Sequence, residues 1–172
     1  PDQVIVLKKR FYVNDSKLDP SQAVQLHLSY IQGRESIVGG NHPVTRDEAV
    51  LFAALQAQAE MGPFNPQSHK HGLDLELSRY LAPQFLKQKD IETAIMNQWK
   101  GLGTMSSLDA KYKYHQLCMT LRTYGQTIFP IKINMSKTKK PLLVDFKLGF
   151  TAEKIIKYQE DAKVVLKEYK YT

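Results

Sequence analysis

Residues 121–132 read Leu-Arg-Thr-Tyr-Gly-Gln-Thr-Ile-Phe-Pro-Ile-Lys, and the pattern of the sequence changes within this stretch. Upstream, over about a hundred residues, apolar side chains recur at helical spacing, whereas downstream β-branched and aromatic residues form strand-like runs. Gly125 fits the position just past a helix, where a positive φ closes the last turn. The sequence therefore predicts an α+β chain, either as two packing units that meet here or as a single α+β domain.

The first two predicted helices have recognisable starts. The first is expected from about Pro20 to Val38, with Asp19 as its N-cap and proline at the first helical position. The second is expected over Thr45–Met61, where Thr45 and Glu48 have the spacing of a capping box.

Three further helical segments are predicted before Gly125. A short helix is expected over Asp74–Leu81, and a segment starting at Pro83 continues over Gln84–Lys100, with Asp90 as a possible cap. Ser106-x-x-Asp109 is predicted to open the last helix. Its side chains are expected to form a stripe at helical spacing, made by Leu108, Tyr112, His115, Met119 and Arg122, with Leu117, Leu121 and Tyr124 on an adjoining stripe.

The strand-like runs lie at the two ends of the chain. Val4–Val13 is predicted to be the last strand of a preceding domain, so we expect the chain to begin inside a larger protein. After Gln126 the sequence predicts an antiparallel sheet, which is incomplete because four strands leave exposed edges. These strands are expected at Thr127–Met135, Leu142–Thr151, Lys154–Gln159 and Lys163–Tyr171.

The charge of the chain is unevenly placed. Residues 127–172 hold ten lysines and five acidic residues, a net charge of +5, whereas residues 1–126 hold fourteen basic and twelve acidic residues, a net of +2. A basic final quarter indicates a polyanionic partner, either lipid headgroups or nucleic acid, although a merely solvated surface explains it equally well. Nucleic acid is disfavoured because the aromatic residues of the helical part sit at core spacing rather than among basic residues.

No motif for catalysis is found, so we expect a non-enzymatic protein without a cofactor. Cys118 is the only cysteine, which excludes an internal disulfide, favours a reducing compartment and predicts a small buried side chain. His69-Lys70-His71 has the His-x-His spacing of some metal sites, but no acidic residue or cysteine lies within the same loop, Phe64–Gly72, to complete a ligand set. We therefore expect no metal site.

Lysines occur in three separate basic elements, at Lys70, at Lys87 with Lys89, and in a cluster of three at 137, 139 and 140. A lysine close to an anionic leaflet contributes roughly 1 kcal/mol of binding free energy. Six of them predict a membrane contact that is peripheral and sensitive to salt.

The order of a helical bundle, the 121–132 stretch and antiparallel strands resembles the border between the second and third lobes of a FERM domain, and within that family it is most similar to the talins. The resemblance covers nearly the whole chain. It is carried by five further segments: residues 23–32 (Ala-Val-Gln-Leu-His-Leu-Ser-Tyr-Ile-Gln), 40–44 (Gly-Asn-His-Pro-Val), 62–65 (Gly-Pro-Phe-Asn), 69–70 (His-Lys) and 85–89 (Phe-Leu-Lys-Gln-Lys).

The resemblance implies three domain segments. Residues 1–14 would be the last strand of a ubiquitin-like first lobe. Residues 15–125 would be the helical second lobe, which is similar in shape to acyl-CoA-binding proteins. Residues 126–172 would be the first strands of a third lobe that is similar to phosphotyrosine-binding and pleckstrin-homology domains.

The same resemblance implies a cytoplasmic adaptor without catalysis. It would lie at the inner face of the plasma membrane at cell-adhesion sites, bind acidic phospholipids (phosphoinositides) and integrin β-type receptor tails, and reach actin through the rest of the parent protein. Leu142 or Leu143 would contact the receptor tail. The alternative is a scaffold whose helical lobe binds a protein or an acyl ligand without touching a membrane. The lipid-binding lysines implied by the resemblance are Lys70, Lys87, Lys89, Lys137, Lys139 and Lys140.

This chain departs from the talin pattern at Glu92, which stands where talins carry a basic residue shortly after the Lys-Gln-Lys run. The departure predicts a weaker basic patch in the helical lobe. The groove that grips an Asn-Pro-x-Tyr turn would lie in strands after Thr172.

Overall fold

The structure, a computed structural model, describes residues 8, 18–19, 21–69, 77–138, 140–160, 162 and 164–171. It divides into two compact units, one from residues 1–40 with 44–120 and the other from residues 41–43 with 121–172. The first unit is helical and the second holds a four-stranded sheet, so the predicted α+β class is confirmed. Apart from Lys8, the strand predicted at Val4–Val13 lies outside the described residues, as do residues 74–76 of the short helix predicted at Asp74–Leu81.

The helical unit is organised around its second helix. The described residues of this unit form the helices α1 (Ala23–Val38), α2 (Arg46–Met61), α3 (Ile91–Gly101) and α4 (Ser107–Thr120), and 3-10 turns lie at Leu77–Arg79 and Pro83–Phe85. α2 packs against both α3 and α4, while α1 packs against α4. Every residue from Phe52 to Ala59 is buried, because the many alanines of α2 let its neighbours approach closely.

Two of the predicted helix starts are confirmed by their hydrogen bonds. Thr45 is the N-cap of α2: its Oγ1 accepts from the backbone N of Glu48 at 3.3 Å, and Glu48 Oε2 accepts from the backbone N of Thr45 at 2.7 Å. At the start of α4, Ser106 Oγ accepts from the backbone N of Asp109 at 3.1 Å. In each case the side chains satisfy N–H groups that the first helical turn leaves without partners.

Two other predicted caps form no cap hydrogen bond, although Asp90 does stand at the N-cap position of α3. Asp19 Oδ1 accepts from the backbone N of Ser21 at 2.9 Å, so the carboxylate closes a local turn and α1 begins only at Ala23. Asp90 precedes α3 but has a left-handed backbone with φ of 58°, and its side chain makes no cap hydrogen bond. The helical segment predicted at Gln84–Lys100 is also wrong in its first half, since a 3-10 turn and a non-helical segment precede Ile91.

The predicted stripe of α4 is largely wrong. Leu108 is 41% exposed, and the buried residues of the helix are Ala110, Tyr114, His115 and Cys118. Small residues on this face permit a close approach between α1 and α4, since a Cβ placed on Gly33 would lie 3.0 Å from Cys118 Sγ. Burial raises the pKa of the Cys118 thiol to about 12, which agrees with a packed residue rather than a nucleophile.

The sheet unit is an antiparallel meander in the order β1-β2-β3-β4. The predicted strands are confirmed to within two residues at each end: β1 is Thr127–Asn134, β2 Leu143–Phe150, β3 Lys154–Gln159 and β4 Val165–Lys170. Gly125 has the predicted positive φ, 72°, but its predicted position just past a helix is wrong, because α4 ends at Thr120 and Gly125 lies in the turn before β1. The register pairs Phe129 with Leu148 and Leu148 with Lys157, and it shifts between β3 and β4 at Lys157 and Tyr158.

A small core holds the middle of this sheet. Ile156, Tyr158 and Ala162 are buried, and Val165 packs against them. The hydroxyl of Tyr158 donates to Gln126 Oε1 at 2.9 Å. Gly149 is required on the neighbouring strand because a Cβ at that position would lie 2.9 Å from Tyr158 Cε2.

His42 joins the 41–43 segment to the 121–125 turn within the same unit. Its Nδ1 lies 2.9 Å from Thr123 Oγ1, and both residues are buried. Burial lowers the pKa of His42, because the charged imidazolium would lose its hydration without gaining an acidic partner.

We expect the stability of the sheet unit to fall as the pH drops below about 6.5, where an unfolded histidine titrates. The folded pKa of His42 is lower, so the unfolded state binds more protons in the window below 6.5 and the free energy of unfolding decreases there. Above that window the contribution of His42 is fully present. Urea unfolding followed by circular dichroism between pH 7.5 and 5.5 measures the effect. A His42→Gln variant should flatten the profile, and an unchanged slope would contradict the assignment.

Candidate functional site

The loop between β1 and β2, residues 135–142, is the most distinctive surface of the sheet unit. Asn134 fixes both of its ends, because Asn134 Oδ1 accepts from the backbone N of Ser136 and from the backbone N of Leu142, each at 3.0 Å. The last ladder hydrogen bond runs from Met135 N to Leu142 O at 2.8 Å. The loop therefore leaves the sheet at a defined place and presents its tip to solvent.

This loop combines positive charge with exposed apolar side chains. Its sequence contains three lysines and no acidic residue. Lys137 and Lys140 are exposed, and Lys139 lies outside the described residues. Around them Met135 is 53% exposed, Leu142 59% and the adjoining Leu143 57%. A loop that exposes both cations and large apolar side chains suits a membrane, whose surface is anionic and whose interior is apolar.

The second basic element, Leu86–Asp90, lies between a 3-10 turn and α3 in the helical unit. It is held by two buried neighbours, Phe85 before it and Ile91 after it, which are 5% and 2% exposed. Lys87 and Lys89 are both exposed within it. The two anchors thus keep this pair of lysines at the surface.

The charges around this pair nearly cancel. Asp90 follows Lys89 directly and is exposed, and Glu92 lies two residues further on. Counted over residues 87–92, two lysines are balanced by two carboxylates. Because opposite charges within a Debye length weaken each other's field, the pair attracts anions less strongly than the loop at 135–142.

The six lysines and two leucines predicted from the resemblance therefore divide between the two units. Lys87 and Lys89 belong to the helical unit, and Lys137, Lys140, Leu142 and Leu143 belong to the sheet unit. Lys70 and Lys139 lie outside the described residues. Sequence reasoning missed Met135, which was assigned to the end of a strand; the lysine-rich turn directly after it was the available signal.

His69 has a structural role in the part of the chain that is described. Its Nδ1 accepts from the backbone N of Asn65 at 3.0 Å, and its ring centroid lies 4.6 Å from that of Trp99. Among the described residues, no group of three or more His, Cys, Asp or Glu side chains is placed to hold a metal ion. The same residues contain no helix with the length and apolar character needed to cross a membrane.

Comparison with known proteins places this arrangement in a family. The family described as the FERM central domain matches residues 15–129. Talin-B of Dictyostelium discoideum is 41% identical over 168 residues, which cover 98% of this chain and 6% of talin-B. Talin-1 of Gallus gallus is 38% identical over 171 residues, covering 99% of this chain and 7% of talin-1. The chain thus corresponds to a small part of these talins.

The fold comparison agrees. The FERM domain of Drosophila Merlin, solved in complex with its C-terminal domain, superposes with a TM-score of 0.69 and covers 93% of this chain and 52% of that chain. The two sequences are 21% identical. At that identity the likeness shows a shared fold, a helical lobe followed by the sheet of the next lobe.

Proposed function

The chain belongs to the FERM family and is similar to talins over nearly its whole length, and from that premise we propose that it is part of a non-enzymatic cytoskeletal adaptor that binds acidic phospholipids. The proposed place of action is the inner face of the plasma membrane at cell-adhesion sites. Actin would be reached through the rest of the parent protein. The domain assignment remains a prediction: residues 1–14 as the last strand of a first lobe, 15–125 as the second lobe and 126–172 as the start of the third.

The loop at 135–142 is the observation that carries this proposal. Its three lysines have no acidic neighbour within the loop, so their field is not cancelled locally. The exposed Met135, Leu142 and Leu143 add apolar surface beside Lys137 and Lys140. Lysines attract the anionic leaflet over roughly a Debye length, and apolar side chains gain free energy once they leave water.

The lysines of the helical unit have a secondary role in this proposal. Lys87 and Lys89 are exposed and anchored at the surface, but Asp90 and Glu92 reduce their attraction for anions. Lys70 is included from the sequence and the resemblance, because it lies outside the described residues. We expect these three to add to membrane binding without sustaining it.

Leu142 or Leu143 is proposed to contact an integrin β-type receptor tail. Both are exposed large apolar residues, Leu142 directly before β2 and Leu143 as its first residue, so their side chains are accessible to a partner. Titrating a synthetic tail peptide into isotope-labelled chain would test this by nuclear magnetic resonance. The proposal requires chemical-shift changes at one of these leucines, and a response confined to other residues would remove it.

Vesicle binding tests the proposed function directly. We expect the chain to bind phosphatidylcholine vesicles that contain a phosphoinositide and to bind pure phosphatidylcholine at least tenfold more weakly, since the lysines then lose their partners. Raising the salt from 0.1 to 0.5 M should release most of the bound chain, because screening shortens the reach of exposed charges. Co-sedimentation measures both effects. Vesicle binding that depends neither on salt nor on lipid charge would favour the alternative, a scaffold whose helical lobe binds a protein or an acyl ligand.

A further inference from the structure

We propose that Thr138 is a phosphorylation site, and that its phosphorylation switches off the binding of the 135–142 loop to an anionic membrane. The acceptor is the Thr138 hydroxyl, and the donor is a nucleoside triphosphate used by a protein kinase that prefers basic sequences. The inference rests on the proposed function, since it names a means by which the membrane contact is regulated.

Thr138 is placed where a kinase can reach it. It is exposed, and it lies beyond the last ladder hydrogen bond, which joins Met135 to Leu142. Its hydrogen bonds are local. Its Oγ1 lies 2.9 Å from Ser136 Oγ and 3.4 Å from the backbone O of Lys140, its backbone N donates to Ser136 Oγ at 3.0 Å, and its backbone O accepts from Ser136 Oγ at 3.2 Å. A kinase that draws this segment into an extended form breaks only bonds between residues two apart, while the strands stay paired.

Ser136 is the less suitable hydroxyl in the same loop. Its backbone N donates to Asn134 Oδ1, and its Oγ accepts from the backbone N of Thr138. The side chain is thus part of the turn that starts the loop, and the residue is only partly exposed. Thr138 is exposed, and in the sequence it stands between Lys137 and the pair Lys139 and Lys140.

The chemical step is a simple phosphoryl transfer. Thr138 Oγ1 attacks the γ-phosphorus of the nucleoside triphosphate, the bond from that phosphorus to the bridging oxygen breaks, and the nucleoside diphosphate leaves. The hydroxyl proton passes to the kinase's base. The product is a phosphate ester that carries a charge of about −1.5 to −2 at pH 7.

That charge acts on the loop in two ways. The three lysines give the loop a charge of +3, which phosphorylation reduces to about +1 to +1.5. The phosphate also lies beside Lys137 and Lys140, so it competes with lipid headgroups for their ammonium groups. Since each unit of charge near the leaflet changes affinity by about fivefold, we expect phosphorylation to weaken vesicle binding by about tenfold to thirtyfold.

The first experiment asks whether Thr138 accepts phosphate. The 172-residue chain is incubated with magnesium, ATP and a purified kinase that prefers lysine beside its acceptor, and the product is mapped by mass spectrometry. We expect one main phosphate at Thr138, which a Thr138→Ala variant does not take up. Phosphorylation of other residues with none at Thr138 overturns the site.

The second experiment asks whether the phosphate acts as a switch. Phosphothreonine is incorporated at position 138 by genetic-code expansion. The binding of this chain to phosphatidylcholine vesicles that contain a phosphoinositide is then compared with that of the unmodified chain. A Thr104→Glu variant is the control, because Thr104 is exposed and lies outside both basic elements. We expect a large loss for the phosphorylated chain and a small one for the control. Equal losses, or binding unchanged by the phosphate, overturn the inference.

The two failures are distinguishable. If the unmodified chain does not prefer vesicles containing the phosphoinositide, the proposed function is wrong, whatever the kinase does. If it does prefer them and phosphothreonine at 138 leaves that preference intact, only the switch is wrong. The Thr138→Ala variant is also treated with the kinase and compared with its own untreated sample. A loss of vesicle binding in this variant would show that phosphorylation of another residue causes the effect.

Discussion

Replacing Lys87, Lys89, Lys137 and Lys140 together by glutamate is expected to lower the affinity for phosphoinositide vesicles by at least a hundredfold. Each lysine near the leaflet contributes roughly 1 kcal/mol, so the loss of Lys137 and Lys140 removes about 2 kcal/mol. The loss of Lys87 and Lys89 removes less, because Asp90 and Glu92 weaken their field, and the four new carboxylates add repulsion to the leaflet. The substitutions change the formal net charge from +7 to −1, since each reversal subtracts two. All four side chains are exposed, so the fold should tolerate the change.

A control variant separates position from total charge. It reaches the same net charge by replacing four exposed lysines that lie outside both basic elements: Lys100, Lys113, Lys167 and Lys170. Co-sedimentation at 0.1 M salt should show a much smaller loss for the control. If both variants lose affinity equally, the effect comes from net charge and not from the position of the lysines. If the site variant binds within threefold of the unmodified chain, the proposed site is wrong.

The two pairs of lysines are not expected to contribute equally. Lys137 and Lys140 stand in a loop without acidic residues and beside exposed apolar side chains, whereas Lys87 and Lys89 share their segment with Asp90 and Glu92. The loop pair should therefore account for most of the loss when the pairs are replaced separately. The departure from the talin pattern at Glu92 predicted a weaker basic patch in the helical lobe. Asp90, which directly follows Lys89, weakens the patch further.

How far the fold could be predicted from the sequence depends on how local its causes are. Thr45 and Ser106 were assigned correctly as helix starts because each is paired with an acidic residue three positions on, so the cap is complete within one turn. Asp19 lacks such a partner, and its carboxylate is taken by the backbone of Ser21 instead. A single capping residue thus predicts a turn as readily as a helix start.

The buried face of α4 could not be predicted because its cause is tertiary. Large apolar residues suggested a stripe through Leu108, whereas α1 approaches α4 over the small residues Gly33 and Cys118. Two helices can pack closely only where their facing side chains are small. Small residues contribute little to a hydrophobic pattern, so the sequence does not reveal this contact.

The candidate site shows a similar limit. The lysines were identified from their run in the sequence and from the resemblance, but the apolar part of the loop depends on where β1 ends. Strand β1 ends at Asn134, whose side chain fixes both ends of the loop and leaves Met135 outside the strand. Asparagine at the end of a strand predicts a turn. The sequence does not show that its side chain binds two backbone N–H groups, because Ser136 and Leu142 are six residues apart and are brought together only by folding.

Replacing Trp99 by alanine is expected to have the largest effect on stability, a loss of about 3–5 kcal/mol in the free energy of unfolding. Trp99 is fully buried in the helical unit, and its ring packs against Phe64 with a centroid distance of 5.3 Å and against His69 at 4.6 Å. Its Nε1 also donates to the backbone O of Gly62 at 3.0 Å, just after the end of α2. Alanine therefore leaves a cavity and a carbonyl without its partner.

A Trp99→Phe variant divides this loss into its two parts. Phenylalanine keeps most of the apolar contact but has no donor for Gly62, so we expect a loss of about 1–2 kcal/mol. Leu108→Ala is the control on the surface, and because Leu108 is 41% exposed it should cost less than about 1 kcal/mol. Urea unfolding is followed by far-ultraviolet circular dichroism, since Trp99 is the only tryptophan and its fluorescence disappears with it. A Trp99→Ala loss no larger than that of Leu108→Ala would contradict the place of Trp99 in the core, whereas a Trp99→Phe loss equal to that of Trp99→Ala would assign the whole effect to the hydrogen bond with Gly62.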